Sequence, residues 1–151
     1  MRQGFTDTLR HVIASAQATA HKLNQEFVGT EHLLVGILEC NTCEAARSLQ
    51  RNGLDPTELR TAMLKVLPKG SQAPVVTGDL PLSPKAQRAI NTAIVKSQAL
   101  REPRVSTRFA LLALLDSDEP QSVIRDVFKG RGADLDQLQR LLVEKPAEEE
   151  K

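Results

Sequence analysis

At 151 residues the chain is long enough for one domain, or two small units sharing an interface, with a core that needs no metal or disulfide. Apolar residues make up 40% of it, but Trp and Tyr are absent and Phe numbers only 4, so Leu, Ile, Val and Ala must fill the core, which favours helix packed on helix. With 20 basic against 19 acidic residues the net charge is +1, which removes the electrostatic footprint of nucleic-acid binding, and no apolar run nears the roughly 20 residues of a bilayer span.

Leu9, Val12, Ile13, Ala16, Ala20 and Leu23 recur at three- and four-residue steps and predict a helix starting near Thr6. Thr30 reads as the N-cap of a second, mostly buried helix carrying Leu33, Leu34, Ile37 and Leu38, with Glu31 favouring its positive end. A shorter third helix bears Ala45, Ala46 and Leu49 and stops at Asn52-Gly53. Asp55-Pro56-Thr57-Glu58 is a capping box with proline at the first helical position, launching a helix with Leu59, Ala62, Met63, Val66 and Leu67. Residues 69–81, rich in Gly, Ser, Pro and Thr, read as a linker. Ser83-Pro84 then caps a fifth helix, Ser106-Thr107 precedes a sixth, and Asp118 with Gln121 and Asp134 with Gln137 open the last two.

The second half repeats the first. Val28-Gly29-Thr30-Glu31-His32-Leu33-Leu34 aligns with Val105-Ser106-Thr107-Arg108-Phe109-Ala110-Leu111 at an offset of 105 − 28 = 77, which also lays Phe5-Thr6 on Leu82-Ser83 and Leu38-Glu39 on Leu115-Asp116. Later turns need one or two inserted residues in the second copy. The expected architecture is all-α: a first four-helix repeat over 1–68, a linker over 69–81, a second four-helix repeat over 82–143, and a solvated charged tail over 144–151.

Few residues carry recognisable reaction chemistry. Cys40 and Cys43 are too close to staple a fold, consistent with a reducing compartment; their C-x-x-C spacing lacks the strand–helix context of a redox site and a second ligand pair for zinc. His11, His21 and His32 share no metal-ligand or triad spacing. Arg101, Arg104 and Arg108 form a basic cluster before and within the second motif, either a solvated face or an attractor for an acidic partner. There is no G-x-x-x-x-G-K-[ST] phosphate loop, so these residues cannot power ATP-driven work.

The stretch from Phe5-Thr6 to Leu38, above all Val28-Gly29-Thr30-Glu31-His32-Leu33-Leu34-Val35-Gly36, resembles the N-terminal repeat domain of Clp-type AAA+ unfoldases, nearest the ClpC type. The likeness continues through Glu44-Ala45-Ala46-Arg47-Ser48-Leu49, the Gln72-Ala73-Pro74 linker and Leu82-Ser83-Pro84-Lys85-Ala86, covering residues from about 5 to 143. It implies two four-helix repeats in pseudo-twofold symmetry, no catalytic centre and no cofactor, and a part in receiving substrates and adaptor proteins for an ATPase. It also implies a phosphoarginine site in each repeat.

Carried over residue by residue, the first-repeat ligand set is Thr6, Val28, Gly29, Thr30 and Glu31: hydroxyl and helix-start N–H groups for a phosphate, and a carboxylate for a guanidinium. In the second repeat Ser106 and Thr107 survive, but Arg108 replaces the family's Glu and repels a guanidinium. The expectation is a cytoplasmic, non-enzymatic interaction module, monomeric when free, whose partners are a Clp-type unfoldase or its protease, adaptors and substrates, with no nucleic acid, membrane or metal. The ending suggests a stand-alone protein. The alternatives are the receptor domain of a longer ClpC- or ClpA-type ATPase, and a thiol-dependent or metal-binding helical protein using Cys40 and Cys43.

Overall fold

Helix starts are set by local chemistry, and most lie where the sequence puts them. In the computed structural model, which describes residues 4–68, 78–116, 123–146 and 150–151, the Thr6 hydroxyl accepts from the Leu9 N–H at 3.1 Å and opens α1 (Asp7–Lys22). Then come α2 (Thr30–Glu39), α3 (Glu44–Arg51) and α4 (Pro56–Val66), with Asp55 capping α4 through the Thr57 N–H at 2.9 Å. Ser83 caps α5 (Pro84–Ala99) through Ala86, and α6 (Thr107–Leu115), α7 (Val123–Gly130) and α8 (Leu135–Val143) follow, α8 capped by Asp134 through Gln137. The expected Asp118–Gln121 box and residues 69–77 of the expected linker lie outside the described residues.

One cap differs from expectation. Thr30 is already the first helical residue, Gly29 is the cap position, and the ring of His32 takes the capping role by accepting the Gly29 N–H on Nδ1 at 2.8 Å. Glycine has no side chain to cap with, so the residue three positions on reaches back.

The backbone keeps the duplication more faithfully than the side chains do. Adding 77 to α1 gives 84–99, the full span of α5, and carries the left-handed Asn24 (φ 55°) onto the left-handed Arg101 (φ 58°). Adding 79 carries Gly53 (φ 76°) onto Gly132 (φ 78°) and the Asp55 cap onto Asp134. The two extra residues therefore enter between the second and third helices of the second copy.

Two short parallel contacts hold the copies together. In β1 (Gly4–Phe5) and β2 (Arg104–Val105) Phe5 pairs with Val105, and an isolated bridge pairs Val28 with Leu82. Since 5 + 77 = 82 and 28 + 77 = 105, each pairing is the other's copy under exchange of the repeats, which is a pseudo-twofold relation written in hydrogen bonds. Leu80 and Pro81, read from sequence as linker, are pinned: Leu80 is 2% exposed, its N–H and carbonyl both bond the Gln17 amide at 2.7 Å, and Pro81 accepts the Val28 N–H.

The core lies where the first two helices of each copy meet. Leu9, Val12, Leu33 and Ile37 face Ile90 and Leu114 across it, and burial of such side chains contributes about 1.5–3 kcal/mol each. At Gly36 the α1 backbone comes so close that an added Cβ would lie 2.6 Å from the Val12 carbonyl oxygen. At the offset of 77 the positions of Gly36 and Val12 are taken by Ala113 and Ala89.

Candidate functional site

Because the copies are related by pseudo-twofold symmetry, the start of α1 lies beside the start of α6, and the start of α5 beside the start of α2. The Thr6 N–H bonds the Val105 carbonyl at 3.0 Å, while the Ser83 N–H bonds the Val28 carbonyl at 2.9 Å. The expected first-repeat set is thus divided. Thr6 shares its surroundings with Thr107, whereas Val28, Gly29, Thr30 and Glu31 lie at the other end of the α1–α2 hairpin, next to Ser83. Residues about 100 apart in sequence meet, and sequence spacing alone does not disclose that.

At the α6 end, Arg108 is no surface cation. It is 3% exposed and its guanidinium bonds Glu44 Oε1 at 3.1 Å, Glu102 Oε1 at 3.1 Å and the Leu142 carbonyl at 2.9 Å, with its Cζ 4.3 Å from the Phe109 ring centroid. The basic cluster read from sequence is therefore not one surface: Arg101 and Arg104 are exposed, and Arg108 is the centre of a buried network. Glu44, 5% exposed, also accepts the Ser106 hydroxyl at 2.8 Å. A buried charge needs such partners, because desolvation of each ion costs several kcal/mol.

Beside this network the starts of α1, α3 and α6 converge on one carboxylate, that of Glu150. It accepts the Thr6 hydroxyl at 2.6 Å, the Glu44 N–H at 3.0 Å, the Thr107 N–H at 2.8 Å and the Thr107 hydroxyl at 2.5 Å. The Glu150 N–H in turn donates to Glu44 Oε2 at 2.8 Å, and the main-chain oxygen of Lys151 accepts the Thr8 N–H at 3.0 Å. The tail read from sequence as solvated is docked at its two described final residues. A cavity of about 300 Å³ opens alongside, between Glu102–Arg104 and Pro146.

At the α2 end the corresponding position, Glu31, is only half-buried, and its Oε2 curls back to within 3.0 Å of where a Gly29 Cβ would stand. Burial lowers the His32 pKa below its ordinary 6.5, against an opposing pull from the Glu31 charge, and the neutral ring suits the acceptor role of Nδ1. Phe27, next to this helix start, is 49% exposed; Phe109 and Phe128 are fully buried and Phe5 partly so.

The cysteines are structural in geometry. Cys43 is buried, its sulfur accepts the Ala46 N–H at 3.4 Å as the cap of α3, and burial pushes its thiol up to about 12, which suppresses the thiolate that redox or metal chemistry needs. Cys40 is partly exposed beside it. His21 bonds the Gly78 carbonyl at 2.8 Å, and among the described residues no three His, Cys, Asp or Glu side chains gather as metal ligands. Among the described residues no helix is long and apolar enough to cross a membrane.

Residues 4–121 match the family model of the Clp repeat (R) N-terminal domain. The chain belongs to that family. A Clp N-domain is a non-catalytic module, and this one is 33% identical over 143 residues to a ClpA homolog, an ATP-dependent Clp protease ATP-binding subunit, of Cyanidium caldarium, a match that takes in 95% of the chain and 16% of that protein. It is 31% identical over 134 residues to the chloroplastic chaperone protein ClpC1 of Arabidopsis thaliana, covering 89% of the chain and 14% of the relative. The chain thus spans about a sixth of the length of these relatives. Among solved structures it is similar to the Hsp104 N-terminal domain of Candida albicans (TM-score 0.77, 19% identity, 94% of this chain and 91% of that one). It is also similar to the ClpV N-domain in complex with a VipB peptide (TM-score 0.68, 16% identity, 94% and 93%). The all-α, eight-helix N-domain fold is common to them.

Proposed function

We propose that this Clp N-domain is a docking module that captures segments of substrate or adaptor proteins for a Clp-type unfoldase, and that it does so at the α2 end. The observation that carries the reading is the exposed Phe27, which shortly precedes the α2 start that bears the partly buried Glu31. Aromatic side chains are enriched at protein interfaces, where a few anchors carry most of the binding energy. The peptide complex of the ClpV N-domain supports the same reading by analogy of fold. It holds whether these residues act alone or as the receptor end of a longer ATPase; a phosphate-loop module in the same gene product would decide between the two.

Co-purification of the wild-type chain and a Phe27→Ser/Glu31→Ala variant with the same organism's Clp ATPase and adaptors tests it. Association of the wild type, lost in the variant, is expected; no association of the wild type would end the proposal. Its finer form takes phosphoarginine as the captured group, with Glu31 pairing the guanidinium and Thr30 at the phosphate, and without Thr6. Calorimetry with the free amino acid should then give one site per chain, abolished by Glu31→Ala, and binding indifferent to that substitution would refute it.

A further inference from the structure

Most of the polar chemistry of the α6 end is directed at a group supplied by the chain itself. Three helix starts, each carrying roughly half a positive charge, aim N–H and hydroxyl donors at the Glu150 carboxylate. The walls behind those donors are fixed: Thr6, Glu44, Ser106, Thr107 and Arg108 are all 5% exposed or less. A cradle of four donors whose occupant comes from 43 residues away or more is a binding site with its ligand tethered to it.

We infer that this cradle is a carboxylate-binding site, that Glu150 is its intramolecular plug, and that an acidic side chain from another protein segment enters only when the tail withdraws. The inference concerns the α6 end and stands without the docking assigned to α2. The local charge selects a carboxylate. Arg108 bonds the carboxylates of Glu44 and Glu102, and the Glu150 N–H bonds Glu44, so a phosphate dianion in place of the Glu150 monoanion would set an additional negative charge beside carboxylates already gathered there. Arg108 likewise closes the site to a guanidinium. The adjoining 300 Å³ cavity, rimmed by Arg104 and Lys151, leaves room for the peptide that carries the acid.

The whole chain tests this, with Glu150→Ala to vacate the cradle, Glu150→Gln as a variant of unchanged side-chain length, and a free peptide copying residues 146–151 as the probe. The read-outs are the amide resonances of Glu44 and Thr107 in a nitrogen–proton correlation spectrum. Both should shift in either variant, and the peptide should restore them, binding the variants at least about tenfold more tightly than the wild type, whose own tail competes. A peptide with Gln at the place of Glu150, or inorganic phosphate at equal concentration, should restore neither. Equal binding to wild type and variants, no binding to the variants, or restoration by the Gln peptide or by phosphate would each overturn the inference.

Discussion

The start of α2 and the start of α6 descend from one sequence and have the same backbone, yet they present opposite chemistry. At α2 the acid Glu31 is only half-buried, the ring of His32 caps the helix, and Phe27, just ahead of the helix start, is exposed. At α6 the corresponding Arg108 has turned inward, a buried Phe109 replaces the buried His32, and the helix start is closed by Glu150 from the tail. Duplication preserved the elements that set the fold, the caps and left-handed turns. Divergence at two positions made one end an outward surface and the other an internal seal.

The largest effect expected from breaking this difference is at Arg108. Arg108→Met leaves the buried carboxylate of Glu44 without its guanidinium and should destabilise the chain by about 3–5 kcal/mol in urea unfolding, whereas Glu31→Met at the matching position should cost under about 1 kcal/mol. Next is the helix crossing. Gly36→Ala drives a methyl group into the Val12 carbonyl and should cost about 1–3 kcal/mol, while Ala113→Gly at the equivalent position, which already carries a methyl group, should cost about 1 kcal/mol through helix propensity.

A smaller, pH-dependent difference follows from His32. Its folded pKa is lowered, so between that value and 6.5 the unfolded chain binds the proton first, and stability falls as pH falls through this window. His32→Phe, which copies the second repeat, should remove that part of the pH dependence of thermal unfolding. Smallest of all is the thiol result: in the native protein a disulfide-exchange reagent should label Cys40 promptly and Cys43 only after denaturation, since burial keeps the latter protonated.

The helices were legible because capping and apolar periodicity act within a few residues: α1 opens at Thr6, where its apolar steps begin, and Asp55, Ser83 and Asp134 cap where their letters say. The repeat offset was legible for the same reason. The meeting of Thr6 with Thr107 was not, because it depends on how the copies exchange across their pseudo-twofold, which no local spacing encodes. Its faint sequence trace is the apolar residue before each paired helix start: Phe5, Val28, Leu82 and Val105. The inward turn of Arg108 did have a signal. From Thr107 to Leu115 the sequence is apolar around the whole helix, so a charged residue inside it has no solvent face to occupy and must find buried partners. Glu150 gave no such signal, for it lies in an acidic run whose composition reads as solvated until a cradle is seen to hold it.

Amide hydrogen exchange at the two helix starts, with and without Glu150, tests the contrast between them most directly. In Glu150→Ala the amides of Glu44 and Thr107, which lose their acceptor, should exchange at least about tenfold faster, while the Gly29 amide, held by His32 at the other end, keeps its wild-type rate. Unchanged exchange at Glu44 and Thr107, or equal acceleration at all three, would contradict the account of one outward and one self-sealed end.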